Sequence, residues 1–222
     1  SDGRPYYAMR FIRGETLKDA IARYHSGATR SEAEARIGLR ELLGRFLAVC
    51  NAIEYAHSRG VIHRDIKPSN IMLDKYGETL VVDWGLAKAL GERSRDTRLE
   101  EVTLVPSSAH GSSTTLPGAA IGTPAFMSPE QADGRLEDIG PLSDVYSLGA
   151  TLYMLLTGKE AFEGQMIGAV LTKVANGEFD PPRVRNARVP PALSAICVKA
   201  MSRKPEDRYK SCSALARDIE RW

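Results

Sequence analysis

Cysteine is scarce in this chain: Cys50, Cys197 and Cys212 are the only three in 222 residues, with no Cys-x-x-Cys pair. An odd, widely spaced set excludes a disulfide framework and a thiolate zinc site, and points to reduced thiols in a cytoplasmic setting. The four histidines stand too far apart for a metal pair at helical spacing. An excess of one charge is missing as well. Lys and Arg total 30 against 28 Asp and Glu, a formal net charge of +2, which leaves no basic footprint for nucleic acid and no acidic tail. No apolar run approaches the roughly 18 residues of a membrane helix, and the opening residues do not read as a secretory signal. With 19 Gly and 12 Pro, the chain is not of low complexity. What remains is a globular composition, 43% hydrophobic and 26% charged, long enough for a sizeable core.

The pattern along the chain is mainly helical with a few short strands. Residues 5–12 read as a strand ending at Gly14, and Thr16 opens a short helix with Asp19 in its first turn. A polar stretch runs from His25 to Arg36. From Ile37 to Ser58, residues Leu39, Leu42, Leu43, Phe46, Val49, Cys50 and Ile53 recur at helical steps, and Gly60 stops the run. Two short apolar runs, Ile71–Leu73 and Leu80–Val82, flank Asp74-Lys75-Tyr76-Gly77-Glu78 and predict a hairpin. Residues 93–120 are rich in Ser, Thr, Pro and Gly and read as a mobile loop inside one domain. Beyond Pro129 helices return: one through Val145 to Leu156, then Met166–Val174, Leu193–Met201 and Ser213–Trp222. The basic run Arg183–Arg188 reads as a solvated loop.

The chemistry-bearing signal is His63-Arg64-Asp65-Ile66-Lys67-Pro68-Ser69-Asn70, followed thirteen residues after Asn70 by Asp83-Trp84-Gly85. Moving a phosphoryl group requires a carboxylate to orient and deprotonate a hydroxyl, oxygen ligands for Mg²⁺, and a cation near the moving phosphate. Asp65 fits the base, Asn70 and Asp83 the metal ligands, and Lys67 the cation. The hairpin would hold Asn70 and Asp83 at opposite ends of its paired strands, near one metal.

With these residues the chain resembles a eukaryotic-type protein kinase of the bacterial Ser/Thr class. The resemblance implies an α+β, mainly α-helical large lobe, with ATP and Mg²⁺ as cofactors and a protein Ser or Thr as acceptor. Lys67, two residues after the base, favours Ser/Thr over Tyr. Trp84 stands where Phe is usual. Gly122-Thr123-Pro124-Ala125-Phe126-Met127-Ser128-Pro129-Glu130 resembles the end of an activation segment spanning 83–130. There the resemblance has Thr123 bonding Asp65 and Lys67, Glu130 pairing with Arg208, and Asp144 anchoring the backbone of the catalytic loop; His63, Arg64 and Trp84 are structural. It makes 1–15 the hinge, with Met9 as gatekeeper, Arg10 and Ile12 offering backbone groups to adenine, and Met72 as the floor under the base. It makes 16–222 the large lobe. Thr114 and Thr115, nine and eight residues before Thr123, become candidate phosphorylation sites that Arg64 would grip.

Three features of the family pattern have no counterpart: the G-x-G-x-x-G loop, the V-A-I-K strand, and the helix Glu that pairs with its Lys. All nine lysines lie at or beyond residue 18. The expectation is therefore a kinase lacking its small lobe, which the same polypeptide would have to supply, and a fragment inactive alone. A non-catalytic regulatory module, truncated or pseudokinase-like, stays open beside it. Small-molecule phosphotransferases are disfavoured by the peptide-docking segment 122–130.

Overall fold

The computed structural model describes residues 14–27, 31–89, 123–164 and 166–222. The residues expected to form the hinge, Met9, Arg10 and Ile12, the candidate acceptors Thr114 and Thr115, and most of segment 83–130 lie outside them.

Strand β1 (Glu15–Thr16) leads into helix α1 (Leu17–Ser26), where Thr16 and Asp19 form a reciprocal capping box. Helix α2 runs from Glu32 to Ser58, five residues earlier than the apolar spacing predicts. Residues 32–36 contribute no core side chain, so periodicity cannot see them; the Ser31–Glu34 capping box starts the helix instead. Its inward face is the predicted one: Leu42, Leu43, Phe46, Val49, Cys50 and Ile53 are all buried.

The hairpin forms from β3 (Ile71–Leu73) and β4 (Thr79–Val81), in register Ile71↔Val81, and β1 pairs with the outer side of β3. A second antiparallel pair joins β2 (Val61–Ile62) to β5 (Lys88–Ala89). These small ladders lie at either side of residues 63–70, which are therefore bounded by paired backbone.

Helices then dominate: α3 (Pro129–Ala132), α4 (Pro141–Thr157), α5 (Ile167–Asn176), α6 (Pro182–Arg185), α7 (Pro191–Ala200) and α8 (Cys212–Glu220). Every residue of α4 from Ser143 to Leu156 is buried, as a helix apolar on all sides must be. Gly149 lets α7 approach it, because a Cβ there would stand 2.8 Å from Met201 Cγ and 2.9 Å from Ala200 Cβ. Gly158 ends α4 at φ +75°, and a Cβ would collide with the His25 ring at 2.7 Å. That ring uses Nε2 to bond the Leu155 carbonyl at 2.9 Å, satisfying one of the last-turn acceptors.

Two local expectations change. Met166 and Ile167 are exposed, and α5 buries Val170 and Val174 alone. The basic run is one helical turn, with Arg185 bridging Glu163 at 3.3 Å and Asp180 at 3.2 Å on the surface. Among the described residues no helix is long and apolar enough to cross a membrane.

Candidate active site

The catalytic loop hangs from Asp144, a fully buried carboxylate in the first turns of α4. Its Oδ2 accepts the His63 N–H at 2.9 Å and its Oδ1 accepts the Arg64 N–H at 2.9 Å. His57, at the end of α2, adds its Nε2 to the same Oδ2 at 2.7 Å. Its Nδ1 lies 3.8 Å from the Cys212 thiol. Burial pushes the Cys212 thiol well up, so it stays protonated and able to donate.

Arg64 sits at φ +70°, a left-handed conformation that costs an L-residue free energy unless neighbours impose it. Its N–H is held by Asp144, and its carbonyl accepts from Gln131 Nε2 at 2.8 Å. His63 is fully buried. Its Nδ1 accepts the Asp65 N–H at 3.3 Å, which leaves Nε2–H to donate to the Val82 carbonyl at 3.2 Å. Burial drives its pKa below the ordinary histidine value, outweighing the upward pull of Asp144, so the imidazole is neutral. Trp84 packs its ring on His63 at 4.5 Å and donates its indole N–H to the Val81 carbonyl at 3.0 Å.

Asp65 is the centre of the network and 7% exposed. Oδ2 takes Lys67 Nζ at 2.7 Å and Asn70 Nδ2 at 3.1 Å, while Oδ1 takes the Thr123 N–H at 3.3 Å. Lys67 Nζ also donates to Thr123 Oγ1 at 2.7 Å. Residues 58 apart in sequence are thereby joined around one carboxylate. Asn70 is locked by a second bond from Nδ2 to the Asp65 carbonyl at 2.9 Å.

Asn70 and Asp83 do not lie at opposite ends of the hairpin. Antiparallel pairing continues one step beyond the ladder, with the Val82 N–H donating to the Asn70 carbonyl at 2.9 Å, and brings both residues to its one open end. Asp83 is exposed, at φ +63°. Because Asn70 commits Nδ2 to Asp65, its amide oxygen and the Asp83 carboxylate are the donors there. Two hard oxygen donors fit Mg²⁺, which binds through one or two such groups and completes its shell with water or phosphate. Met72 is half-buried at the centre of β3, opposite Thr16 and Leu80.

Glu130 and Arg208 form a buried, two-pronged ion pair, both contacts at 2.8 Å. Arg208 also donates to the carbonyls of Ser202, Leu142 and Arg203, so all five guanidinium N–H groups are engaged. Ser143 donates to Glu130 at 2.7 Å. Burial alone would raise the Glu130 pKa; the Arg208 bonds and charge more than offset this and hold it below the ordinary value. Ser147 fastens the Phe126 carbonyl at 2.8 Å. Beside Thr123, a cavity of about 370 Å³ is lined by Pro124, Ala125, Phe162, Ile167 and Val170, with Glu160 and Glu163 at its wall.

The sequence reading did not single out His57, Gln131, Ser143 or Ser147. Gln131 had a local signal, since Ser128-x-x-Gln131 is a capping-box pattern.

A family model described as the protein kinase domain matches residues 3–218, and the chain belongs to that family. It is 36% identical over 221 residues to the serine/threonine-protein kinase PknD of Protochlamydia amoebophila, covering 98% of this chain and 22% of that one. It is 34% identical over 217 residues to the serine/threonine-protein kinase PknB of Mycolicibacterium smegmatis, covering 98% and 30%. A probable serine/threonine-protein kinase of Streptomyces coelicolor is 34% identical over 216 residues, covering 97% and 28%. The chain thus spans less than a third of the length of these relatives.

Proposed function

We propose that this chain is the hinge and large lobe of a Ser/Thr kinase that moves the terminal phosphoryl group of ATP to a protein hydroxyl. The observation that carries the reading is the way both oxygens of Asp65 are held, by Lys67 and Asn70 on one side and Thr123 on the other. Such a carboxylate is aimed before substrate arrives and takes the proton of the attacking hydroxyl as the general base. Lys67 sets a positive charge beside it, where a transferring phosphate gathers negative charge. Asn70 and Asp83 would hold Mg²⁺, which supplies charge neutralisation at the phosphate oxygens when bound. Met72 would form the floor beneath adenine, and Met9, Arg10 and Ile12 the hinge along its edge. The apolar cavity beside Thr123 would seat the acceptor peptide next to Asp65. Thr114 and Thr115 would be phosphorylated, with Arg64 gripping the phosphate.

Catalysis of this kind is positioning and charge stabilisation, so the 222 residues alone are expected to be nearly inactive. A Gly-rich lid and its Lys would come from a small lobe of the same polypeptide. The test is peptide phosphorylation by a chain extended upstream through that lobe. Asp65→Asn should lower turnover by roughly 10²–10⁴-fold; wild-type turnover in that variant would end the reading.

A further inference from the structure

The Arg64 peptide is gripped from two directions, by buried side chains on two different helices. Asp144 on α4 takes the N–H; Gln131 on α3, next to the activation-segment end, gives a hydrogen bond to the carbonyl. Gln131 is 3% exposed, and its amide has no freedom to turn over. Oε1 accepts both the Ser128 N–H at 3.0 Å and the Ser128 hydroxyl at 3.1 Å, which fixes Nε2 toward Arg64. The same short helix is seated by its neighbouring residue, Glu130, on Arg208. Arg64 has positive φ, so its carbonyl would turn away if either grip were lost, and Asp65 is the next residue along the chain.

We infer that Gln131 is a positioning residue for the phosphotransfer reaction: its amide N–H holds Arg64 in the left-handed conformation and so makes the aim of Asp65 conditional on the seating of residues 123–132. The inference rests on Asp65 being the base, as proposed above. It places the coupling between activation segment and catalytic loop in one side-chain amide with separable halves. Oε1 caps α3 and Nε2–H holds the loop.

Gln131→Glu separates those halves. The carboxylate still accepts from Ser128, as a capping-box Glu does, yet it has no proton to give Arg64. When the carboxyl is protonated, the donor returns. The titratable and charged groups around the Arg64 peptide (Asp144 with His57, His63, Asp65, Lys67, Arg64 itself and the Glu130–Arg208 pair) are common to variant and parent, so the ratio of their rates at each pH cancels them and leaves the substituted group. The experiment is steady-state peptide phosphorylation by the kinase with both lobes, from pH 8 to pH 5.5, for parent, Gln131→Glu, the near-isosteric Gln131→Met, and Asp65→Asn. At pH 8 both Gln131 variants should lose roughly 10–100-fold in kcat, as small misplacements of a reacting group do, with KM for ATP and peptide within about twofold. The Gln131→Glu deficit should shrink several-fold as pH falls, while the Gln131→Met deficit stays flat. Parallel pH profiles for the two variants, or kcat unchanged in both, would overturn the inference. So would loss of folding in both by circular dichroism, since Gln131 would then be holding up the lobe and not aiming the loop. Full activity in Asp65→Asn would instead overturn the functional reading beneath it.

Discussion

Arg64 and Asp83 share a backbone conformation and little else. They are the two non-glycine residues with positive φ among the described residues, at 70° and 63°, and each such conformation costs on the order of 1–3 kcal/mol. At Arg64 the surroundings impose it: Asp144 and Gln131 hold the peptide on both sides, and His63 and Asp65 next to it are buried. Asp83 is exposed, and among the described residues no side-chain hydrogen bond reaches its carboxylate. The Asp65 end of the site is thus built into the lobe, whereas the Asp83 end stands exposed and, on the function proposed above, would gain its partners with the ligand. Variants on the first side should move stability and activity together. Those on the second should move activity alone.

Breaking the built-in side at its anchor has the largest expected effect. Arg208→Ala leaves Glu130 unpaired and buried, which typically costs about 3–5 kcal/mol, on the order of 10 °C in Tm for a domain of this size. Arg185→Ala, on a surface pair, should stay within about 0.5 kcal/mol. Equal shifts in thermal melts of the two variants would remove the anchor from the argument.

Asp144→Asn comes next. One of its two carboxylate acceptors becomes an amide donor facing N–H groups, so a buried hydrogen bond is lost and its partner orphaned, at about 1–3 kcal/mol. Denaturant melts measure this cost, and turnover in the extended chain should fall with it.

Acid sharpens the contrast between buried groups. His63 has a folded pKa below its unfolded one, so the stability it contributes is complete above pH about 6.5 and is lost as pH falls from there toward its folded pKa. Glu130 is likewise depressed, and its contribution declines only below its ordinary value of 4.5. Melts taken between pH 8 and pH 4 should show loss beginning near 6.5, and His63→Phe should abolish that first limb while leaving the second.

The smallest stability effect belongs to Asp83. Asp83→Asn should leave the melt within about 0.5 kcal/mol, yet raise the Mg²⁺ needed for half-maximal rate by roughly tenfold or more. A large Tm shift there would erase the distinction between the two ends.

What the sequence made legible follows the same divide between local and distant causes. Asp65, Lys67, Asn70 and Asp83 lie within nineteen positions, and their residue types announce phosphate and metal chemistry before any fold is known. Helix α4 was legible because its apolar residues recur at helical steps. The beginning of α2 was not, since residues 32–36 pack against nothing that periodicity registers, although Ser31 and Glu34 marked it. His57 meets Asp144 across 87 positions and Gln131 meets Arg64 across 67. No local pattern encodes such meetings. Gln131 was readable as a cap and unreadable as a clamp, because only the packed chain brings the Arg64 carbonyl to its other side.

The most direct measurement is transfer of radiolabelled phosphate from ATP to a Ser/Thr peptide, by residues 1–222 beside a chain extended upstream through a kinase small lobe, each with and without Asp65→Asn. A built-in base and a metal end dependent on ligand require that the extended chain be active, that Asp65→Asn silence it by roughly 10²-fold or more, and that residues 1–222 alone be slower by at least a comparable factor. Comparable specific activity from residues 1–222 and the extended chain would contradict it.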